Sequence, residues 1–135
     1  MRVFTDGAAR GNPGPAGAGA VLIDETGRIV ERLGRYLGER QTNNVAEYEA
    51  VLLGLRRALA MGVKEVEVVA DSLLVVEQLR GNWRVKMPHL KPLHEEGRRL
   101  LAQFAKASLR HIPREQNQDA DEMSNRAIDE KMSGV

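Results

Sequence analysis

The sequence predicts an α/β domain built on a mixed sheet, and three observations lead there. Three short runs of strand character open the chain and are followed by alternating helical and strand-like periods. The turn Glu25-Thr26-Gly27 joins the second and third runs as an antiparallel hairpin. A long amphipathic helix then leads into the β-branched run Glu65 to Ala70. A strand–helix–strand crossover pairs its strands in parallel with a right-handed connection, so the fourth strand is expected beside the first.

Arg2 to Asp6 is the first predicted strand, and it ends on a carboxylate. Ala8 to Pro15 is rich in Gly and Pro and predicts a loop, neither strand nor helix. Gly17 to Asp24 is the second strand, whose Gly and Ala residues let another backbone or a ligand come close. Arg28 to Tyr36 is the third, with Ile29, Val30 and Leu33 as its apolar residues. Asn44 to Met61 is the clearest helix: Tyr48, Val51, Leu52, Leu55 and Leu59 share a face, Glu49 and Arg56 oppose it, and Gly62 stops it. Ser72 caps a short helix to Leu79. Gly81 to Pro88 is irregular and holds Trp83, which reads as an anchor for the loop. Leu90 to Ala105 is a helix, Ser108 to Ile112 a fifth strand, and Asn117 to about Glu130 a final helix. No linker divides the chain, so residues 1–131 read as one domain and 132–135 as a short frayed tail.

A chain of 135 residues, 42% hydrophobic and 29% charged, supports a real core and excludes a disordered tail. A net charge of +1 gives no global basic field, so any polyanion site must be local. The absence of cysteine excludes a disulfide scaffold or thiolate metal site and suits a reducing cytoplasm. No stretch is long and apolar enough to span a membrane, and Met1 to Asp6 has no signal-peptide core.

Asp6 and Asp71 fall at the carboxyl ends of two strands expected to be parallel neighbours, where open α/β sheets bind ligands. Taken singly, Asp6 reads as a loop-start acid and Asp71 as part of a helix cap. Glu47 has two readings: with Asn44 it has capping-box spacing, yet it also flanks the apolar face and would reach the strand ends. In the final helix Asp121 edges the apolar side formed by Ala120, Met123, Ala127 and Ile128, while Asp119 and Glu122 point away as surface charge. Crowded carboxylates raise one another's pKa unless a cation neutralises them. An all-oxygen set suits Mg²⁺ or Mn²⁺. Two such ions about 4 Å apart suit in-line attack on a phosphodiester.

Asp6-Gly7-Ala8, Thr42-Asn43-Asn44-Val45-Ala46-Glu47, Asp71-Ser72 and His111…Asn117…Ala120-Asp121, in this order and spacing up to about Asp129, resemble type 1 ribonuclease H. The resemblance implies a ribonuclease H-like fold: a five-stranded mixed sheet of order 3-2-1-4-5 with helices on both faces. It implies endonucleolytic hydrolysis of the RNA strand of an RNA–DNA hybrid, with 5′-phosphate and 3′-hydroxyl products. Asp6, Glu47, Asp71 and Asp121 match the family's carboxylates for two Mg²⁺ ions, with Mn²⁺ as a substitute, and Asp6 would bridge both. His111 matches the family's mobile histidine, which helps protons move or product leave. Gly7, Asn12, Arg40, Thr42, Asn43 and Asn117 are carried over as substrate contacts, Arg40 and Thr42 as a DNA-phosphate pocket beside a helix N-terminus. Gln78 matches nothing and reads as surface. A monomer with no small-molecule cofactor is expected.

The chain departs from the family pattern at two places. Leu73 stands where some members have a polar residue that reaches a base. Asn82 to His89 stands where some insert a basic helix; here only Arg80, Arg84, Lys86 and Lys91 surround Trp83, which predicts weaker substrate binding. A nuclease of this fold with another duplex preference, a non-catalytic hybrid-binding module and a phosphomonoesterase are the competing readings.

Overall fold

A computed structural model of the chain describes residues 1–132. Five strands form one sheet: β1 (Arg2–Ala9), β2 (Gly14–Ile23), β3 (Ile29–Gln41), β4 (Glu65–Ala70) and β5 (Lys106–His111). Their order is β3-β2-β1-β4-β5, with β1, β4 and β5 parallel and β2 antiparallel to both its neighbours. The helices are α1 (Asn43–Ala60), α2 (Leu73–Arg80), α3 (Lys91–Leu101) and α4 (Gln118–Met132).

Alternation along the strands assigns the two faces. Val3 on β1 and Ala20 on β2 meet α1 near Gly54, while Gly17 and Gly19 on β2 meet the backbone of α4. The larger core lies on the α1 side, where Val3, Leu22, Val66 and Val68 pack with Tyr48, Leu52 and Leu55 and with residues of α2 and α3. The opposite face is covered by α4 through Ala120, Ser124 and Ile128, all buried. Gly17 and Gly19 make that close packing possible, since a Cβ at either would strike the carbonyl oxygen of Ser124 or Ala120.

The hairpin between β1 and β2 is longer than the Gly/Pro content of Ala8 to Pro15 predicts. Ala8 pairs with Gly17 and Ala9 with Ala16, and Arg10 N donates to Pro15 O at 2.8 Å. Pro15 is tolerated because it falls where the β2–β3 register shifts, between Gly14 and Ala16, so no ladder bond needs its N–H. Strand β3 likewise continues past Tyr36 to Gln41 and delivers the chain directly to α1. The third helix stops at Leu101, short of the predicted Ala105, and β5 begins at Lys106 instead of Ser108, because Lys106 already pairs with Glu65. Met132 closes α4, and the remainder of the expected tail lies outside the described residues.

Candidate active site

The last parallel pair between β1 and β4 is Thr5 with Ala70, and the last between β4 and β5 is Ala70 with His111. Asp6 and Asp71 are therefore the next residues on two adjacent strands, at the edge where β1 and β4 part. Parallel pairing in this register alone brings the two carboxylates together.

The third acid comes from α1. Its N-cap is Thr42, whose Oγ1 accepts from Val45 N at 3.2 Å. This displaces the capping-box reading: a reciprocal acid would have to stand at position 45, so Glu47 is not engaged in closing the helix start. Glu47 turns toward β1 instead. The first turns of α1 lie so close over Gly7 that a Cβ there would collide with the backbone of Ala46 and Glu47. The Gly7 N–H donates to the Glu47 carboxyl. One carboxylate oxygen each from Asp6, Glu47 and Asp71 lies within 4.8 Å of the others. Asp121, in the first turn of α4, hydrogen-bonds to Asp6 and lines the same cleft of about 380 Å³.

Crowding and burial shift the protons in this cleft. Asp6 is 4% exposed, and burial, followed by the charge of Asp71, pushes its pKa up to about 8. Burial, then the charges of Asp6 and Asp71, holds the Glu47 carboxyl well above its usual range, and the Gly7 N–H opposes this only in part. The Asp6 carboxyl lies in hydrogen-bonding contact with those of both Glu47 and Asp121. The donor set fits a hard divalent cation: carboxylate oxygens alone, close enough to share an ion, with an unfavourable charge density that a cation would relieve. Asp6, Glu47, Asp71 and Asp121 are the residues that would hold it.

Asn117 ties the site to the sheet. It is 1% exposed, and its Nδ2 donates to Thr5 O at 2.8 Å and to Asp71 Oδ2 at 3.0 Å. His111 is exposed, with Nε2 at 3.2 Å from the Asp71 carbonyl oxygen. Asn12 and Asn43 join the β1–β2 loop to α1: Asn12 Oδ1 accepts from Asn43 N, and Asn43 Oδ1 accepts from Ala9 N, both at 3.1 Å. Arg40 is exposed near the end of β3, two residues before the Thr42 cap. Asp119 and Glu122 are exposed on α4, as their positions predict.

Gln78 is not a surface residue. It is 4% exposed, accepts from the Tyr48 hydroxyl at 2.6 Å and donates to Arg84 O at 3.3 Å. The surface reading fails because the polar type hides a buried hydrogen-bonding task, and its position one turn from Leu74 and beside Leu79 was the available signal. Trp83 is 44% exposed and rims a separate cleft of about 550 Å³ with Leu74, Met87 and Leu90. Arg10, Arg114 and Asn125 also line the acidic cleft and stand outside the sequence-derived set. Asn125 alone carried a signal, being four residues beyond Asp121 on the same helix face.

A 3-2-1-4-5 sheet with acids gathered at the carboxyl ends of its central strands defines a ribonuclease H-like protein with a site suited to divalent cations. The model of the reverse transcriptase-like family matches residues 4–127. The ribonuclease H1 structure from Halobacterium salinarum superposes with a TM-score of 0.92 at 41% identity, covering 96% of this chain and 97% of that one. A structure of LC11 ribonuclease H1 in complex with an RNA/DNA hybrid gives 0.91 at 42%, covering 97% and 98%. Among curated sequences, ribonuclease HI of Halobacterium salinarum is 42% identical over 130 residues, 96% of this chain and 65% of its own length. A bifunctional protein of Mycobacterium tuberculosis is 43% identical over 127 residues, 94% of this chain and 35% of its length. The chain thus spans about a third to two thirds of these curated relatives. It belongs to the type 1 ribonuclease H family.

Proposed function

We propose that this chain is an endoribonuclease that hydrolyses the RNA strand of RNA–DNA hybrids by two-metal-ion catalysis, leaving 5′-phosphate and 3′-hydroxyl ends. The observation that carries this reading is the meeting of Asp6, Glu47 and Asp71 within 4.8 Å, with Asp121 bonded to Asp6, at the carboxyl edge of the sheet. The relative solved with an RNA/DNA hybrid supports the substrate class. Bound Mg²⁺, or Mn²⁺ in its place, would activate the attacking water and stabilise the departing oxygen.

The chain's own residues supply geometry and proton control. Asp6, in contact with both Glu47 and Asp121, would be the central ligand. Asn117 holds Asp71 in place; its burial favours this role over direct substrate contact. His111, exposed beside Asp71, is the group available to carry a proton at the mouth of the site. Gly7, Asn12, Arg40, Thr42 and Asn43 are the substrate contacts we propose, the last three flanking the N-terminus of α1. Residues 1–131 act as one catalytic unit, a monomer in the cytoplasm; the lack of cysteine suits that compartment.

The test is a gel assay on an end-labelled hybrid with Mg²⁺, with the native chain beside Asp71→Asn. The native chain is expected to cut the RNA strand and leave duplex DNA whole. Asp71→Asn is expected nearly to abolish cutting with an unchanged circular dichroism spectrum. A native chain that binds hybrid without cation-dependent cutting would leave a binding module instead.

A further inference from the structure

Three of the four acids are restrained by groups already described. Glu47 accepts from the Gly7 N–H, Asp71 accepts from Asn117, and Asp6 is buried between its neighbours. Asp121 stands in the first turn of α4 and, like Glu47 and Asp71, is half-buried. Its restraint comes from one turn further along α4. Asn125 Nδ2 donates to Asp121 Oδ1 at 3.2 Å and to the Asp121 carbonyl at 3.0 Å.

An asparagine amide has a sense, and here a second residue sets it. Arg10 Nη2 donates to Asn125 Oδ1 and to the Asn125 carbonyl, each at 3.3 Å. A guanidinium can only donate, so the amide oxygen must face Arg10 and the NH₂ must face Asp121. The flipped amide would set its oxygen against a carboxylate and its NH₂ against a cation. Arg10 is in turn fixed by Asp129, with Nη1 to Oδ1 at 2.6 Å. The ion pair is exposed, and exposed pairs add little stability. Its consequence is therefore directional.

We propose that Asn125 is a positioning residue for Asp121, and that Arg10, reaching from the β1–β2 loop, fixes the sense of its amide. The proposal rests on the cation-dependent reading above. Groups that orient a ligand carboxylate typically change cation affinity or rate by about 10–100-fold when removed.

Isothermal titration with Mn²⁺ is the primary measurement, supported by hybrid cleavage and by thermal unfolding in EDTA. Asn125→Leu keeps the side-chain volume and removes the donor. It is expected to weaken Mn²⁺ binding about 10-fold or more and to lower kcat with KM for hybrid unchanged. Arg10→Met is expected to give a smaller loss in the same direction. The double variant should bind Mn²⁺ no more weakly than Asn125→Leu alone, because Arg10 acts through Asn125. Losses that add in the double variant overturn the relay, as does a native Mn²⁺ affinity in Asn125→Leu. Should Asn125→Leu fail to fold in EDTA, Arg10→Met decides: native affinity there overturns the proposal. A native chain that binds Mn²⁺ but does not cut hybrid sinks the nuclease reading and leaves this inference standing. One that binds no Mn²⁺ sinks both.

Discussion

Asn117 Nδ2 lies 3.0 Å from Asp71 Oδ2, and the same nitrogen bonds Thr5 O at 2.8 Å. One amide from the start of α4 thus fastens a site carboxylate to the strand beside it. Asn117→Ala would leave Thr5 O buried without a partner, a loss of about 1–3 kcal/mol. Urea unfolding of the metal-free protein should register it. Asp71 would also lose its restraint, and hybrid cleavage should fall about 10–100-fold. A variant that loses stability and cuts at the native rate would show that Asp71 needs no such tether.

Gly7 offers a second handle. A Cβ at this position collides with the α1 backbone at Ala46 and Glu47, and overpacking of this kind costs about 1–3 kcal/mol. Gly17→Ala is the matched comparison, since its Cβ strikes α4 at Ser124. Both variants should unfold at lower urea. Only Gly7→Ala should also weaken Mn²⁺ binding, because α1 carries Glu47. Equal cation affinity in the two variants would mean that the position of Glu47 is not set by the close approach at Gly7.

The proton affinities of the site predict a pH profile for the metal-free protein. Asp6 rises from an ordinary 3.8 to about 8, and Glu47 is also raised. Both hold their protons more tightly folded than unfolded, so folding takes up protons as pH rises above the unfolded values. Stability should be greatest near pH 4 as far as these groups contribute, and should decline steadily toward pH 8. Mg²⁺ should reverse the trend, since it competes with protons for the same oxygens. At 100 times its dissociation constant a cation adds about 2.7 kcal/mol. The melting temperature in Mg²⁺ minus that in EDTA should therefore grow from pH 5 to pH 8. A difference that does not change with pH would separate the cation from these carboxylates.

The site was legible where chain order dictated geometry. Asp6 and Asp71 follow strands that a right-handed crossover must pair, so their meeting could be read from periodicity and a carboxylate at each strand end. The sheet order followed from the resemblance, and the sheet has that order. Glu47 stayed ambiguous because local spacing served two purposes; only the cap at Thr42 resolves it. Strand lengths at the β1–β2 hairpin were hidden because Gly and Pro report local preference, whereas pairing of Ala8 and Ala9 is a tertiary gain. The link between Asn125 and Arg10 was hidden for a related reason. Their bonds join residues 115 apart in sequence, and nothing in either neighbourhood marks the partner.

Gln78 shows the same limit in the core and carries the last prediction. Its amide accepts from Tyr48 and donates to the Arg84 carbonyl, and its own carbonyl meets His94 Nε2 at 2.9 Å. Helices α1, α2 and α3 and the Trp83 loop are joined through one side chain and its backbone. Burial raises the Tyr48 pKa, so its hydroxyl stays protonated and donating. Gln78→Leu would strand the Tyr48 hydroxyl and the Arg84 carbonyl, a loss of about 1–3 kcal/mol for each group left unpaired. Tyr48→Phe would strand only the Gln78 oxygen. Gln78→Leu combined with Tyr48→Phe should then be more stable than Gln78→Leu alone, because the second change removes a hydroxyl that has lost its acceptor. Urea midpoints of the three variants test this. Additive losses would mean that water reaches the Tyr48 hydroxyl once Gln78 is gone.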